Sequence, residues 1–549
     1  MSGLRGLGAV LGMLLVLVAT GARAGAEGQG QGQGQDQAVE AAFRLALIEA
    51  AADDPVLADY YRETGYAPLW MGEGAADRAR RAALLDALTQ AQMHGLPAAR
   101  HDATALMARP GDILSMSERG RAEMDFSRAY LAYAHDLQGG ILDPSQVDSD
   151  IKRTVLRPEA AELLDAMRTG APDARLRALA PQTGEYRRLQ AARQHLEAIV
   201  AGAGWGPEVP ALTLRPGAVG PEVVALRNRL AAMGYLARGA AEPDDGARAF
   251  DDTLAAVVQA FQRDHGLAPD GVVGPRTIAA LNTPPEDRLR AVIVAMERER
   301  WLPVDRGARH VMVNLADFSA RLIDGDRITF ETRAVIGKNA GNRRSPEFSD
   351  EIEYMVINPT WHVPRSIVAR DYLPRLQADR NAAPYMKIYD RQGREVPRGA
   401  VNFNAYDGRS FPFAMKQPPS DGNALGRVKF MFPNRWSIYL HDTPHKHLFE
   451  RERRDFSSGC IRLERPFDLA YALLARQEDD PEGFFHAILA TGRETYVHLE
   501  DHVPVHLIYR TAFTRPGERM QYRDDVYGRD ARIWEALARA GVTPGGQGS

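Results

Sequence analysis

Apolar positions change their period twice along the chain. Over 38–205 they recur at three- and four-residue spacing in Ala-rich sequence. Phe126, Tyr130, Tyr133 and Leu137 fall on one helical face, and Leu84 and Leu88 mark another helix that Gly95 would end. This predicts a helical scaffold domain, and it carries no compact cluster of catalytic residue types. Over 214–282 the pattern predicts three short helices joined by glycine turns. Val223, Leu226 and Leu230 lead into Met233-Gly234-Tyr235. Leu254, Val257 and Phe261 precede Gly266-Leu267, and Pro275 opens the third helix. A linker helix over 286–305 follows. Beyond 308 the pattern turns to strands, expected at 311–315, 320–323, 328–330, 353–357, 428–432, 436–440, 495–499 and 505–509, with Asp324-Gly325-Asp326 as a hairpin turn. A helix is expected over 466–476, directly after the last candidate for chemistry. A polar, Pro- and Arg-rich stretch over 365–420 is too long for an ordinary loop and reads as an inserted cap. The fold class expected is multidomain α+β, with a β-rich domain over 308–510 and a C-terminal extension over 511–549.

The N-terminus adds a destination. Arg5, an apolar run over 7–19 and Ala22-Arg23-Ala24 describe a secretory signal peptide over 1–24. The run is shorter than the about 20 apolar residues of a spanning helix. Residues 25–37 alternate Gln and Gly and read as a flexible tether. Lys and Arg number 68 against 72 Asp and Glu, a balance that gives no support for a nucleic-acid partner.

Cys460 is the single cysteine. It cannot close an intramolecular disulfide, and structural zinc needs several Cys or His ligands. An exported chain that keeps one free thiol exposes it to oxidation, so a function is expected to retain it. It sits in Ser457-Ser458-Gly459-Cys460-Ile461-Arg462, nineteen residues after His441 (441 to 460), which ends the strand Trp436-Ser437-Ile438-Tyr439-Leu440-His441. If the two strands are neighbours, both side chains can face one pocket. Pairing with an imidazole can lower a thiol from about 8.5 by several units. The thiolate attacks a carbonyl carbon, and the histidine returns the proton to the leaving amine. Backbone N–H groups of Ser458, Gly459 and Cys460 are candidate oxyanion donors. No Asp or Asn stands out as a third member, so a backbone carbonyl could orient the imidazole. The alternative is a metal site built from His441, His445 and His447 with Asp442 or Cys460. Pro444 interrupts that run, and the basic side chains of 446–454 disfavour a cation. The expectation is therefore no metal and no cofactor, with His445 and His447 in a solvated loop.

Two resemblances gather these residues. Gly220-x-x-Val223, Leu226, Gly234-Tyr235, Ala260-Phe261-Gln262, Gly266-Leu267, Asp270-Gly271-x-x-Gly274 and Thr277 resemble the peptidoglycan-binding-domain-1 family. His441-Asp442-Thr443-Pro444, the run 457–462 and Asn423-Ala424-Leu425-Gly426-Arg427-Val428-Lys429-Phe430-Met431-Phe432-Pro433-Asn434 resemble the L,D-transpeptidase (YkuD) catalytic domain. Asn358-Pro359-Thr360-Trp361-His362-Val363-Pro364-Arg365-Ser366 and Tyr527-Gly528-Arg529-Asp530 point to its YcbB-like subgroup. The chain departs at Ser458, where many relatives carry histidine, and at Asp442, where many carry glycine.

The resemblance implies a periplasmic enzyme that forms 3→3 cross-links in peptidoglycan. Cys460 would be acylated by the third residue of a tetrapeptide stem, and a diaminopimelate amine on a neighbouring stem would resolve the thioester. His441 would be the general base and acid. Ser457, Ser458, Gly459 and Arg462 would shape the acyl pocket, with Tyr439 and Trp361 lining it. Arg462 reads equally as a salt bridge steadying its strand. Carbapenems would acylate Cys460. The partners implied are peptidoglycan stem peptides, glycan contact through 214–282 and cell-wall synthases. The alternatives are an L,D-carboxypeptidase or hydrolase using the same acyl-enzyme, and a non-catalytic wall-binding protein.

Overall fold

A computed structural model describes residues 27–108, 115–155, 157–237 and 248–544. The expected signal peptide lies outside them. The chain forms two compact units: one comprises residues up to Arg81 with Thr104–Arg128, the other Ala82–Ala103 with everything from Ala129 onward. The helical region expected as one domain over 38–205 is thus shared between the two.

In the first unit the organising group is a buried acid. Glu123 accepts hydrogen bonds from the amides of Leu69, Trp70 and Met71 and from the Tyr61 hydroxyl, at 2.6–3.1 Å. These donors satisfy a carboxylate that burial would otherwise make costly. The first helix spans Glu27–Ala50, so the segment expected as a tether over 25–37 is helical from Glu27. Gln is a good helix former, and adding turns to an existing helix needs no new nucleus.

In the second unit the expected linker helix is a core element. Pro285–Arg300 buries Leu289, Val292 and Ile293 against Leu189 and Leu196 of the helix Gly184–Ala201. Its charged end is buried too, and paired: Arg298 with Glu347 and Asp530, Arg300 with Glu297, Glu299 with Arg306. Buried charges survive only when paired in this way. The C-terminal extension contributes the helix Arg529–Arg539, whose Ile533 and Leu537 join the same core.

The small module has helices Pro221–Ala232, Asp252–Asp264 and Pro275–Asn282. Val223, Leu226, Leu230, Leu254 and Phe261 fill its core, but Val258 takes the fully buried place expected of Val257.

The β-rich part holds β1 (Arg309–Asn314), β2 (Ser319–Asp324), β3 (Arg327–Gly337), β4 (Phe348–Ile357), β5 (Trp361–His362), β6 (Lys387–Tyr389), β7 (Ala414–Gln417), β8 (Val428–Met431), β9 (Leu440–His441), β10 (Asp455–Ser457), β11 (Ile461–Leu463) and β12 (Thr495–Ile508). Nine of them form one sheet in the order β10-β3-β11-β9-β8-β4-β12-β1-β2. β2 also pairs with β3 across the Asp324–Gly325 hairpin, so the sheet curls back on itself. Val428, Phe430, Leu440, Ile461, Leu463, Met355, Ile357 and Val497 point inward. β12 is one strand where two were expected, with a register irregularity between His498 and Val503. The cap is more than a polar lid. It carries its own sheet, β5-β7-β6, and its own core of Leu373, Leu376, Met386, Ile388, Phe403, Phe411 and Met415. Its apolar residues are scattered among Arg and Pro, so no period shows in the sequence.

Candidate active site

Residues 436–439, expected as strand, lie outside the strands, in a segment that begins with a turn at 435–436. Asn434 holds it: Oδ1 accepts from the amides of Trp436 and Ile438, and Nδ2 donates to the carbonyls of Phe432 and Ile438. Ser437 adopts φ 56° there. The turn delivers β9 to its place between β8 and β11. Leu440 pairs with Ile461 and His441 with Arg462 in parallel register, so Cys460, just before β11, stands level with Tyr439.

Gly459 precedes the thiol at φ 126°, a conformation L side chains rarely adopt. A Cβ there would lie 3.3 Å from the Ile438 side chain. Its carbonyl accepts from Ser345 Oγ at 2.6 Å, and its amide donates to Ser457 Oγ at 3.1 Å. Ser457 Oγ in turn donates to the Cys460 carbonyl. Ser457 is therefore first a brace of the loop, and one of the three expected oxyanion donors, the Gly459 amide, is already engaged.

Cys460, Tyr439, His441, Ser458, Arg462 and Trp361 line one cavity of about 950 Å³. Its walls are basic: Lys152, Arg343, Arg344, Arg370, Arg375 and Arg462 face Asp150 and Asp371. Trp361 reaches it from the cap core, edge-on to Tyr372. Arg370 of the cap donates to Ser458 Oγ at 3.3 Å, linking the cap to the cysteine loop. His445 is exposed in a loop, as expected, and also borders the cavity, whereas His447, exposed too, is not among the lining residues. The chain from β9 brings it back to the mouth.

The electrostatics run against the expected low thiol pKa. Burial pushes the Cys460 thiol up to about 11, although hydrogen bonds from Tyr439 and the charges of Arg462 and Lys429 pull it down. The sulfur donates to the Ser437 carbonyl at 3.5 Å. Burial, then the Arg462 charge, lowers His441 to about 3 against the opposing carbonyls of Asp442 and Leu425, with Lys429 adding to the fall. Both groups rest neutral because ionising either would place a charge in a poorly solvated site. Nδ1–H of His441 donates to the Asp442 carbonyl, which assigns Nε2 as the acceptor. The Asp442 carboxylate is occupied elsewhere, by Arg427 N at 2.9 Å and Lys446 Nζ at 2.7 Å.

The salt-bridge reading of Arg462 is not what the structure holds. Its Nε is buried with no hydrogen-bond partner among the described residues, and burial lowers its proton affinity. Among the described residues, no three His, Cys, Asp or Glu side chains are grouped to hold a metal ion. Sequence reasoning missed Lys429, which pairs with His441 from β8. Its one signal was its polar position between inward-facing Val428 and Phe430.

Comparison with known proteins yields three family matches: a scaffold domain over residues 55–192, a "Putative peptidoglycan binding domain" over 219–281 and an L,D-transpeptidase catalytic domain over 308–488. A "Putative L,D-transpeptidase" of Haemophilus influenzae is 32% identical over 243 residues, 44% of this chain. The match spans 48% of that relative, about half its length. Among solved structures, an L,D-transpeptidase fragment from Xylanimonas cellulosilytica is 16% identical and covers 55% of this chain and 98% of its own, with a TM-score of 0.18. A fused Zn-dependent amidase/peptidase/peptidoglycan-binding protein from Clostridium acetobutylicum is 12% identical over 55% and 100%, with a TM-score of 0.15. Those two likenesses carry no argument. The family matches and the curated relative do: the chain carries the catalytic domain of the L,D-transpeptidase (YkuD) family, together with a module of the peptidoglycan-binding-domain-1 family.

Proposed function

We propose that the protein is a periplasmic peptidoglycan L,D-transpeptidase that forms 3→3 cross-links. The supporting observation is the placement of His441 on β9 and of Cys460 directly before the adjacent parallel strand β11, both lining one basic cavity. His441 Nε2 takes the thiol proton as Cys460 Sγ attacks the carbonyl carbon of the third stem residue. Because both partners rest neutral, proton transfer and attack proceed together, with no standing ion pair. The oxyanion forms beside the amides of Ser458 and Cys460. Imidazolium then protonates the leaving D-alanine amine, and the thioester remains. A diaminopimelate amine enters, gives a proton to His441 and its electron pair to the carbonyl, and thiol is released. Tyr439 holds the sulfur, and the basic walls attract the carboxylates of the stems.

The experiment is mass spectrometry of products from purified protein with a disaccharide-tetrapeptide. Cross-linked dimer with released D-alanine supports the reading. Tripeptide without dimer would assign a hydrolase instead, and no turnover would refute both.

A further inference from the structure

The sheet face that carries Cys460 and His441 continues well beyond them. Directly opposed residues of paired strands share a face, so the register extends the face strand by strand. One row runs Arg462, His441, Lys429, Val356, Tyr496, with His441 and Val356 buried and Tyr496 exposed. The next row holds Cys460, Tyr439, Met431, Tyr354 and His498, with Tyr354 paired to both Met431 and His498. The near end is cationic and chemical. The far end is aromatic.

That far end is a cluster. The Tyr354 ring centroid lies 5.9 Å from that of Tyr496 and 5.1 Å from that of His498. Tyr496 is 56% exposed, while its neighbours in sequence on β12, Val497 and Leu499, are buried in the core. Exposed aromatic rings grouped on one sheet face mark a binding surface more often than scattered single ones do.

We propose that Tyr354, Tyr496 and His498 are a platform for a sugar ring of the donor glycan, from which the stem runs along the sheet to Cys460. This rests on the transpeptidase reading above. Aromatic faces pack against the C–H faces of a pyranose, and the hydroxyl and imidazole edges can hydrogen-bond its hydroxyls. Distance favours the same occupant. β4 lies three strand steps from β11 and β12 lies four, roughly 14 Å and 19 Å at ~4.8 Å per step. Three stem residues span at most roughly 10–11 Å, and the lactyl ether joining stem to sugar makes up most of the remainder. A stem acylated at Cys460 and extended along the face therefore brings its sugar to the cluster.

The test uses the full chain carrying Cys460→Ser, titrated by calorimetry with a disaccharide-tetrapeptide and with the same tetrapeptide lacking sugar. The disaccharide should improve affinity about tenfold, the scale of one or two aromatic contacts. Tyr496→Ala should remove most of that increment, and so should His498→Ala; both residues are exposed, and thermal melting would verify that each variant folds. With the active enzyme, the ratio of kcat/KM for the two substrates should fall in the same proportion. Equal affinity of the Cys460→Ser protein for both substrates, or an increment that survives both substitutions, overturns the platform. Failure of the two readings is distinguishable: a sugar increment without turnover by the active enzyme defeats the transpeptidase reading alone, and cross-linking without an increment defeats the platform alone.

Discussion

Arg462 stands beside His441 as its register partner on the adjacent parallel strand, and Lys429 stands beside it from the antiparallel one. The imidazole is therefore held between two cations in a buried row. Its low proton affinity comes first from burial and then from Arg462, with Lys429 adding less: protonation would add a third positive charge where little water can screen it. A substrate carboxylate in the cavity would relieve that field.

Removing the Arg462 charge should make the base easier to protonate. In the wild-type free enzyme the acid limb of kcat/KM due to His441 should lie near its value of about 3. In Arg462→Met the limb should move up toward the ordinary imidazole range, so activity at pH 5 falls relative to pH 7. A pH profile whose acid limb is unmoved would refute the field argument.

Cys460→Ala should abolish turnover, by more than about a thousandfold, and leave the melting temperature nearly unchanged. Carbapenem adducts seen by intact-protein mass spectrometry should vanish with it. Near-wild-type cross-linking by the variant would end the covalent mechanism.

His441→Ala should lose activity almost as completely. His447→Ala should retain most of it, and His445→Ala, at the mouth of the cavity, should act chiefly on KM. EDTA should have little effect; reversible inactivation by it would restore the metal alternative.

Removing the cap over 370–411 should shift products from cross-linked dimer toward free tripeptide, because water then competes with the amine for the thioester. The cap has its own core and sheet, separate from the core of the nine-stranded sheet. The measurement is the ratio of dimer to tripeptide. An unchanged ratio at an unchanged rate would leave the cap no part in acceptor selection.

Acid should destabilise the fold through its neutral buried histidines. His506 is lowered to about 3, mainly by burial, with its ring nitrogens on Ser349 Oγ and the Arg306 carbonyl. Its folded pKa lies below the unfolded value near 6.5, so the unfolded state binds more protons between the two. The stability it contributes is complete above pH ~6.5 and is lost as pH falls toward 3. His506→Gln should lower the melting temperature at pH 7 and flatten its fall between pH 6.5 and 4. A slope equal to that of the wild type would refute the assignment.

Much was legible in short stretches of sequence. The helix faces at Phe126–Leu137 and Val223–Leu230, the Asp324–Gly325 hairpin and the helix after Cys460 all follow from periods and turn residues that act within a few positions. The misses share a cause. The run 436–440 reads as strand by composition, yet Asn434 holds most of it outside the strands through four hydrogen bonds. Residues 285–300 look like a charged connector because their partners Glu347 and Asp530 are remote in sequence.

By itself the sequence determined the order of helical, modular and β-rich regions and singled out Cys460 and His441 as candidates, since periodicity, turn chemistry and a unique thiol are local properties. Tertiary structure alone decided that β9 and β11 are neighbours, that Lys429 and Arg462 flank His441, that Ser345 braces Gly459, and that Tyr354, Tyr496 and His498 share the face of Cys460. Strand order and register are set by how distant apolar faces pack into one core. The protonation states follow from that packing, because burial and neighbouring charge exist only once the chain has closed around them.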